Sequence, residues 1–201
     1  MMIEDAGALR ALYPAATERV RKKQLDHLDS HCIRFVGLSP LLVMASADAD
    51  GRLDASPRGG EPGFVHVVDA TTLLIPDAPG NNRLDTLTNI LEAGRVGLLF
   101  LIPGVDETLR VNGRASLTAQ PQVLQRFATE KRTPRVAIEV RVEEAYLHCA
   151  KALMRSRLWS DESRVERSVL PTMGQMIHDQ IGSAESAETQ EQMLARYAAD
   201  L

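Results

Sequence analysis

The sequence predicts a mainly β, α+β chain, with antiparallel strands closing into a barrel or sandwich and helices at its periphery. Short alternating or wholly apolar segments recur along the 201 residues, about six to eight of them, each bounded by Gly, Pro, Asn or Asp. They follow one another in hairpin order rather than alternating with long helices, which excludes a doubly wound parallel sheet. With 44% apolar and 25% charged residues, the composition is that of a globular chain with a substantial core.

Composition also excludes several classes of function. A net charge of −4 argues against general nucleic-acid binding by phosphate neutralisation. No apolar run reaches the roughly 18 residues that a membrane span needs. The N-terminus, MMIEDAGALR, carries early acids and no apolar h-region, so no secretory signal is expected and a cytoplasmic location is. Cys32 and Cys149 are too few for a disulfide framework. GxSxG, HExxH and CxxC are all absent, so no catalytic residue is assigned.

Thr17 to His31 reads as a helix with Val20, Leu25 and Leu28 as its sparse apolar positions. His27 and His31 then share a face at metal-ligand spacing, but no third ligand accompanies them and no metal is expected. Leu41–Ala47 reads as a strand, Asp48–Gly51 as a turn and Arg52–Pro57 as the returning strand. Alternation puts Asp54, Ser56 and Arg58 on one face. A hydroxyl and a guanidinium two apart can converge on one oxyanion; an exposed polar face is the alternative. Gly59, Gly60 and Gly63 make an irregular loop, and Phe64–Val68 and Thr72–Ile75 form the next hairpin.

The stretch from Ile75 to Asn89 reads as a strand end, a tight turn and the first turns of a helix. Pro76, Pro79 and Gly80 set the turn, and Asn81 or Asn82 is the expected N-cap. Leu84, Leu87, Ile90 and Leu91 recur at helical spacing, and Gly94 marks the stop. Asn82, Arg83, Thr86 and Asn89 lie uncommitted on the first turns. A helix start is a ready anion site, so phosphate is one reading and a capped amphipathic helix the other.

Val96–Ile102 has no polar side chain and reads as a central strand buried on both faces. Glu107–Leu117 alternates, with Leu109, Val111, Ala115 and Leu117 on one face and Arg110, Asn112, Arg114 and Ser116 on the other. Thr118–Ala128 reads as a helix capped by Thr118, and Lys131, Arg132 and Thr133 as a loop. Arg135–Val142 is a further strand, continuing toward Tyr146. His148–Trp159 is a short basic helical segment, and Pro171–Gly182 and Ala184–Leu201 are two more helices.

Five blocks in order carry a resemblance: ASPRGGEPGFV at 55–65, IPDAPGNNRLDTLTNIL at 75–91, VGLLFLIPG at 96–104, ETLRVNGRA at 107–115 and HCAKALMRSRLW at 148–159. Together they resemble the pyridoxamine 5'-phosphate oxidase-related family of FMN-binding proteins, closest to its bacterial flavin-nucleotide-binding branch. The resemblance implies a split β-barrel and a homodimer with FMN at the subunit interface. The chain reads as one domain: a helical segment over 1–37, the barrel core over 38–160 and a helical appendage over 161–201. The resemblance assigns the FMN phosphate to Ser56, Arg58, Asn82 and Arg83, with Thr86 as a further candidate. It runs the backbone of Ile75, Pro76 and Asp77 along the flavin ring. Arg110, Asn112, Arg157 and Trp159 are then expected from the second subunit. The implied activity is hydride transfer between flavin N5 and a small substrate. The alternatives are flavin binding without turnover, or a deazaflavin or haem in place of FMN, with His66 and His148 as the haem candidates. The helices from Pro171 onward differ from the short C-terminal strand of the oxidase proper, so vitamin B6 oxidation is not the expected reaction.

Overall fold

In the computed structural model, which describes residues 2–128, 133–182 and 186–198, the predicted strands pair into one antiparallel sheet. Its strands are β1 (Leu41–Ala47), β2 (Leu53–Gly59), β3 (His66–Asp69), β4 (Thr72–Pro76), β5 (Arg95–Leu101), β6 (Thr108–Thr118) and β7 (Ala137–His148). Their spatial order is β2-β1-β5-β6-β7-β4-β3, so β1–β2, β3–β4, β5–β6 and β6–β7 are neighbours in both chain and sheet, whereas β2 and β3, consecutive in the chain, lie at opposite ends. The hydrogen-bonded ladder does not close on itself; the sheet is a split barrel. Asp48 makes the first hairpin tight, since its Oδ1 accepts from the amides of Asp50 (2.9 Å) and Arg52 (2.8 Å).

The pairing register sorts every strand residue to one of two faces. On the inner face Leu42, Met44, Phe100, Leu109, Val111, Ile138 and Val140 are fully buried. Residues of this kind contribute about 1.5–3 kcal/mol each on burial. Against them pack α3 (Ser30–Leu38), through Cys32, Phe35 and Val36, and α4 (Asp85–Ala93), through Leu87 and Ile90. On the outer face one row across the sheet is Pro57, Val43, Leu99, Arg110 and Tyr146. The expectation that β5 is buried on both faces is corrected: Val96, Leu98 and Phe100 are buried, whereas Gly97, Leu99 and Leu101 are half-buried. α3 and α4 pack on the inner face.

Three helix readings are also corrected. The helix expected from Thr17 to His31 is broken into α2 (Glu18–Lys22), after α1 (Ala6–Ala11), and the separate α3. Between them Leu25 is extended and exchanges backbone hydrogen bonds with Ala145, and Asp29 caps a new helix by accepting from the Cys32 amide. His27 is therefore outside the helix that holds His31. The helix expected over Thr118–Ala128 is only α5 (Pro121–Leu124) and a 3₁₀ turn over Gln125–Phe127. Thr118 is the last residue of β6, and its hydroxyl accepts from the Gln120 amide. The basic segment after His148 is helical only over α6 (Lys151–Ser156). The loop expected at Lys131 and Arg132, and the two ends of the last expected helix at Ala184 and Leu201, lie outside the described residues.

The chain divides into two compact units, Met1–Arg155 and Ser156–Leu201. The second holds α7 (Met173–Ile181) and α8 (Gln190–Ala198). A capping box starts α8: the Thr189 amide donates to Gln192 Oε1, and the Gln192 amide donates to Thr189 Oγ1. Within this unit Gly174 is pressed on the Glu188 backbone, where any Cβ would overlap the carbonyl. No helix among the described residues is long and apolar enough to cross a membrane.

The longest pairing in the sheet, β6 with β7, contains a bulge at Glu143, because Asn112 faces Glu144 while Gly113 faces Val142. There the strands approach so closely that a Cβ at Gly113 would overlap the Arg141 carbonyl. Gly113→Ala is expected to cost about 2 kcal/mol or more in urea unfolding, because backbone rather than a flexible side chain must give way. An unchanged midpoint would mean that the bulge is not where the register puts it.

Candidate functional site

Arg58 lies on the inner face of β2, at one end of the sheet. Its Nη1 donates to Asp77 Oδ1 at 2.9 Å, with the two side chains only 16% and 22% exposed. Asp77 follows β4, which lies next to the opposite end of the sheet. This pair therefore spans the gap that no backbone ladder closes. Arg58 Nε is buried and has no acceptor among the described residues. The Asp77 amide donates to the Val136 carbonyl at 3.0 Å, which fixes the end of β4 against β7. Pro76 sits where β3 has already ended, so its missing N–H leaves no ladder bond unmade.

A second tie fixes α4. Thr86 Oγ1 donates to Asp54 Oδ2 at 2.5 Å, and Asn89 Nδ2 donates to Ser46 Oγ at 3.0 Å. Asp54 and Ser46 are directly opposite in the β1–β2 ladder, and Thr86 and Asn89 are three apart on the helix, so one cross-strand pair grips one helix face. The uncommitted status expected for Thr86 and Asn89 is thus corrected, since both are buried and bonded. Leu84 and Leu91, expected on the apolar stripe, are 55% and 74% exposed. The N-cap is corrected too. Asn81 Oδ1 accepts from the Arg83 amide, one step before the helix, and the capping position is Leu84, left-handed at φ 62° and without a side-chain cap bond. Asn82 is left-handed as well, at φ 58°. Arg83 is exposed and its Nε donates to Asp85 Oδ2 at 2.8 Å.

The structure thus brings Ser56 and Arg58 onto one face, with Asp77 beside Arg58 and Thr86 beside Asp54. Asn82 and Arg83 lie on the turn between Asp77 and α4. Ile75 is fully buried between β3 and β7. Arg110 and Asn112 are on the opposite face of the sheet from Arg58. Arg110 stacks over the Tyr146 ring at 5.3 Å, and Asn112 Nδ2 donates to Glu144 Oε2 at 2.9 Å. Arg157 and Trp159 belong to the second unit, where Arg157 is left-handed at φ 50° and pairs with Glu162 at 2.5 Å. Sequence reasoning passed over the Asp77 side chain and the Asp54–Thr86 and Ser46–Asn89 bonds. Asp54 was legible as a third polar residue on the Arg58 face, but nothing local announces that the two ends of the sheet meet.

Other reactive groups are accounted for structurally. The His66 ring stacks on Phe127 with centroids 4.3 Å apart; burial, and then the nearby Arg126, hold its imidazole below the usual histidine range. Burial, and then the Asp29 side chain, push the Cys32 thiol up to about 11, which disfavours its thiolate. Among the described residues no three His, Cys, Asp or Glu side chains are grouped to hold a metal ion.

Residues 28–149 match the pyridoxamine 5'-phosphate oxidase family. No curated protein matches the sequence. Among solved structures, a histidine-to-alanine variant of HupZ from Group A Streptococcus is similar, with a TM-score of 0.51 at 15% identity, over 60% of this chain and 99% of that one. A candidate pyridoxamine 5'-phosphate oxidase from Lactobacillus delbrueckii gives 0.47 at 19%, over 62% and 98%. An FMN-binding protein from Syntrophomonas wolfei gives 0.44 at 13%, over 58% and 81%. At these identities the likeness to HupZ is one of fold. The family match covers more than half of the sequence and runs from before β1 to the end of β7: the chain belongs to the pyridoxamine 5'-phosphate oxidase family.

Proposed function

We propose that this protein is an FMN-binding flavoprotein, a homodimeric oxidoreductase acting on a small substrate. The observation that carries the reading is Arg58: a largely buried guanidinium, on the strand face where the family resemblance puts the cofactor, with one N–H lacking an acceptor. FMN, when bound, supplies hydride transfer at its N5, and the protein supplies binding, orientation and charge.

The residues present suit that cofactor. Ser56 and Arg58 from β2, with Asn82 and Arg83 from the turn before α4, hold the phosphate. The start of α4 has no side-chain cap, so its first amides are available to an anion. Thr86 has its hydroxyl proton on Asp54 and serves by holding α4 in place. Along β4 the amides of Ile75 and Asp77 point toward β7, so the Pro76 carbonyl points to the side where β3 has ended. That carbonyl is the main-chain acceptor for the ring imide.

The second copy has two roles. Arg110 and Asn112 face away from Arg58 within one chain, so they reach a flavin only from a partner. Arg157 and Trp159 are assigned to the partner as well. The outer face around Arg110 is apolar along Pro57, Val43 and Leu99, and Leu53 at its edge is 86% exposed, a surface suited to burial against a second copy. A guanidinium near the flavin N1/O2 edge stabilises the reduced, anionic ring. Arg110 or Arg157 fills that role.

Fluorescence titration with FMN tests the site. Arg58→Ala is expected to weaken FMN binding by about 2–5 kcal/mol, as for truncation of a desolvated charge partner. Arg83→Ala is expected to weaken it less, because Arg83 is exposed. Wild-type affinity in both variants would remove the phosphate site from these residues. Sedimentation should give twice the 22.1 kDa chain mass. A monomer that binds FMN with full affinity would take Arg110, Asn112, Arg157 and Trp159 out of the site.

A further inference from the structure

We infer that the Asp77 carboxylate is a built-in placeholder for the ligand's anionic group, and that it makes Arg58 selective for a phosphate dianion over singly charged or neutral ligands. The inference rests on the flavin reading for its natural ligand, but its logic concerns this chain's own residues. Arg58 Nη1 is held by Asp77 at 2.9 Å, and both side chains are mostly buried. The pair is therefore neutral overall. A guanidinium offers five N–H donors in a planar fork, and Asp77 satisfies it from one side only, because Nε is buried without an acceptor. The pairing is incomplete as it stands.

Ligand classes differ in what they can do to such a pair. A carboxylate arriving at Arg58 exchanges one single charge for another and gains little. A neutral hydroxyl cannot displace Asp77 at all. A phosphate dianion brings twice the charge and several acceptor oxygens, enough to take more than one donor of the fork once Asp77 has left it. Exchange of Asp77 for phosphate also frees the first residue of the 77–84 turn. That turn carries Asn82 and Arg83, so release and capture fall on one segment. Asp77 is then a specificity-determining residue whose removal strengthens anion binding, the opposite of what removing a ligand-holding group does.

The test compares Asp77→Asn and Arg58→Gln with wild type, using FMN, riboflavin, inorganic pyrophosphate and acetate as probes at constant ionic strength. Asp77→Asn is expected to bind FMN about tenfold more tightly with riboflavin affinity unmoved, and acetate should displace FMN from this variant but not from wild type. Arg58→Gln should lose the preference for FMN over riboflavin. If Asp77→Asn weakens FMN as much as Arg58→Gln does, or changes FMN and riboflavin alike, Asp77 merely supports the fold and the inference is wrong. If no variant binds either flavin, the flavin reading fails separately. Pyrophosphate then decides the placeholder: it should raise the melting temperature of Asp77→Asn more than that of wild type and leave Arg58→Gln unmoved, and equal shifts in all three would refute it. Should Asp77→Asn not fold, the exchange is read in wild type, where the Arg58 Nε–H nitrogen-15 resonance should shift saturably with pyrophosphate and not with acetate; no shift would overturn it.

Discussion

The site depends on one ion pair. Backbone hydrogen bonds join β2 through β3 in a single ladder but leave its two ends unpaired. Arg58 and Asp77 reach across that gap. A mostly buried pair of this kind loses much of its Coulomb gain to desolvation, so its main effect is to fix geometry rather than to add stability. Until an anion takes the place of Asp77, the pair ties the inner face of β2 to the end of β4. Asp54–Thr86 and Ser46–Asn89 do the equivalent for α4, a few residues from Arg58 on the same hairpin. The polar groups that could bind a ligand are thus positioned by other polar groups, while the apolar core beneath them fixes the sheet.

The two faces divide the work. Inside, side chains that can receive an anion border a core of Leu, Ile, Val, Met and Phe. Outside, an apolar row interrupted by Arg110 faces away from that core. In the proposed dimer, one chain's outer face meets another chain's anion-binding edge.

Much of the fold was legible because hairpins are local. Alternation and turn residues placed β1, β2, β4 and β5 within a residue or two, and Gly94 ends α4 in the left-handed conformation that a glycine stop provides. What escaped was non-local. Leu25 is extended because Ala145, far along the chain, pairs with it, so the helix read through it breaks. Thr86 and Asn89 are buried because Asp54 and Ser46 meet them, so the face of α4 turned inward is partly polar and the exposed Leu91 misleads. At Leu84 the chain adopts a left-handed cap where Asn81 or Asn82 was expected, and the Asn81 side chain accepts from the Arg83 amide instead. Of the candidate site, the shared face of Ser56 and Arg58 was readable from alternation, and Arg83, read on the first helical turn, lies before the helix start. The Asp77 side chain was not, since opposite ends of a sheet meet only in three dimensions.

The most direct measurement is the visible spectrum of the purified protein, with mass spectrometry of whatever heat releases. The account predicts a yellow protein, or a colourless one that turns yellow on adding FMN, releasing the mass of FMN. A protein that stays colourless with FMN present, or that releases a deazaflavin or haem instead, would contradict it.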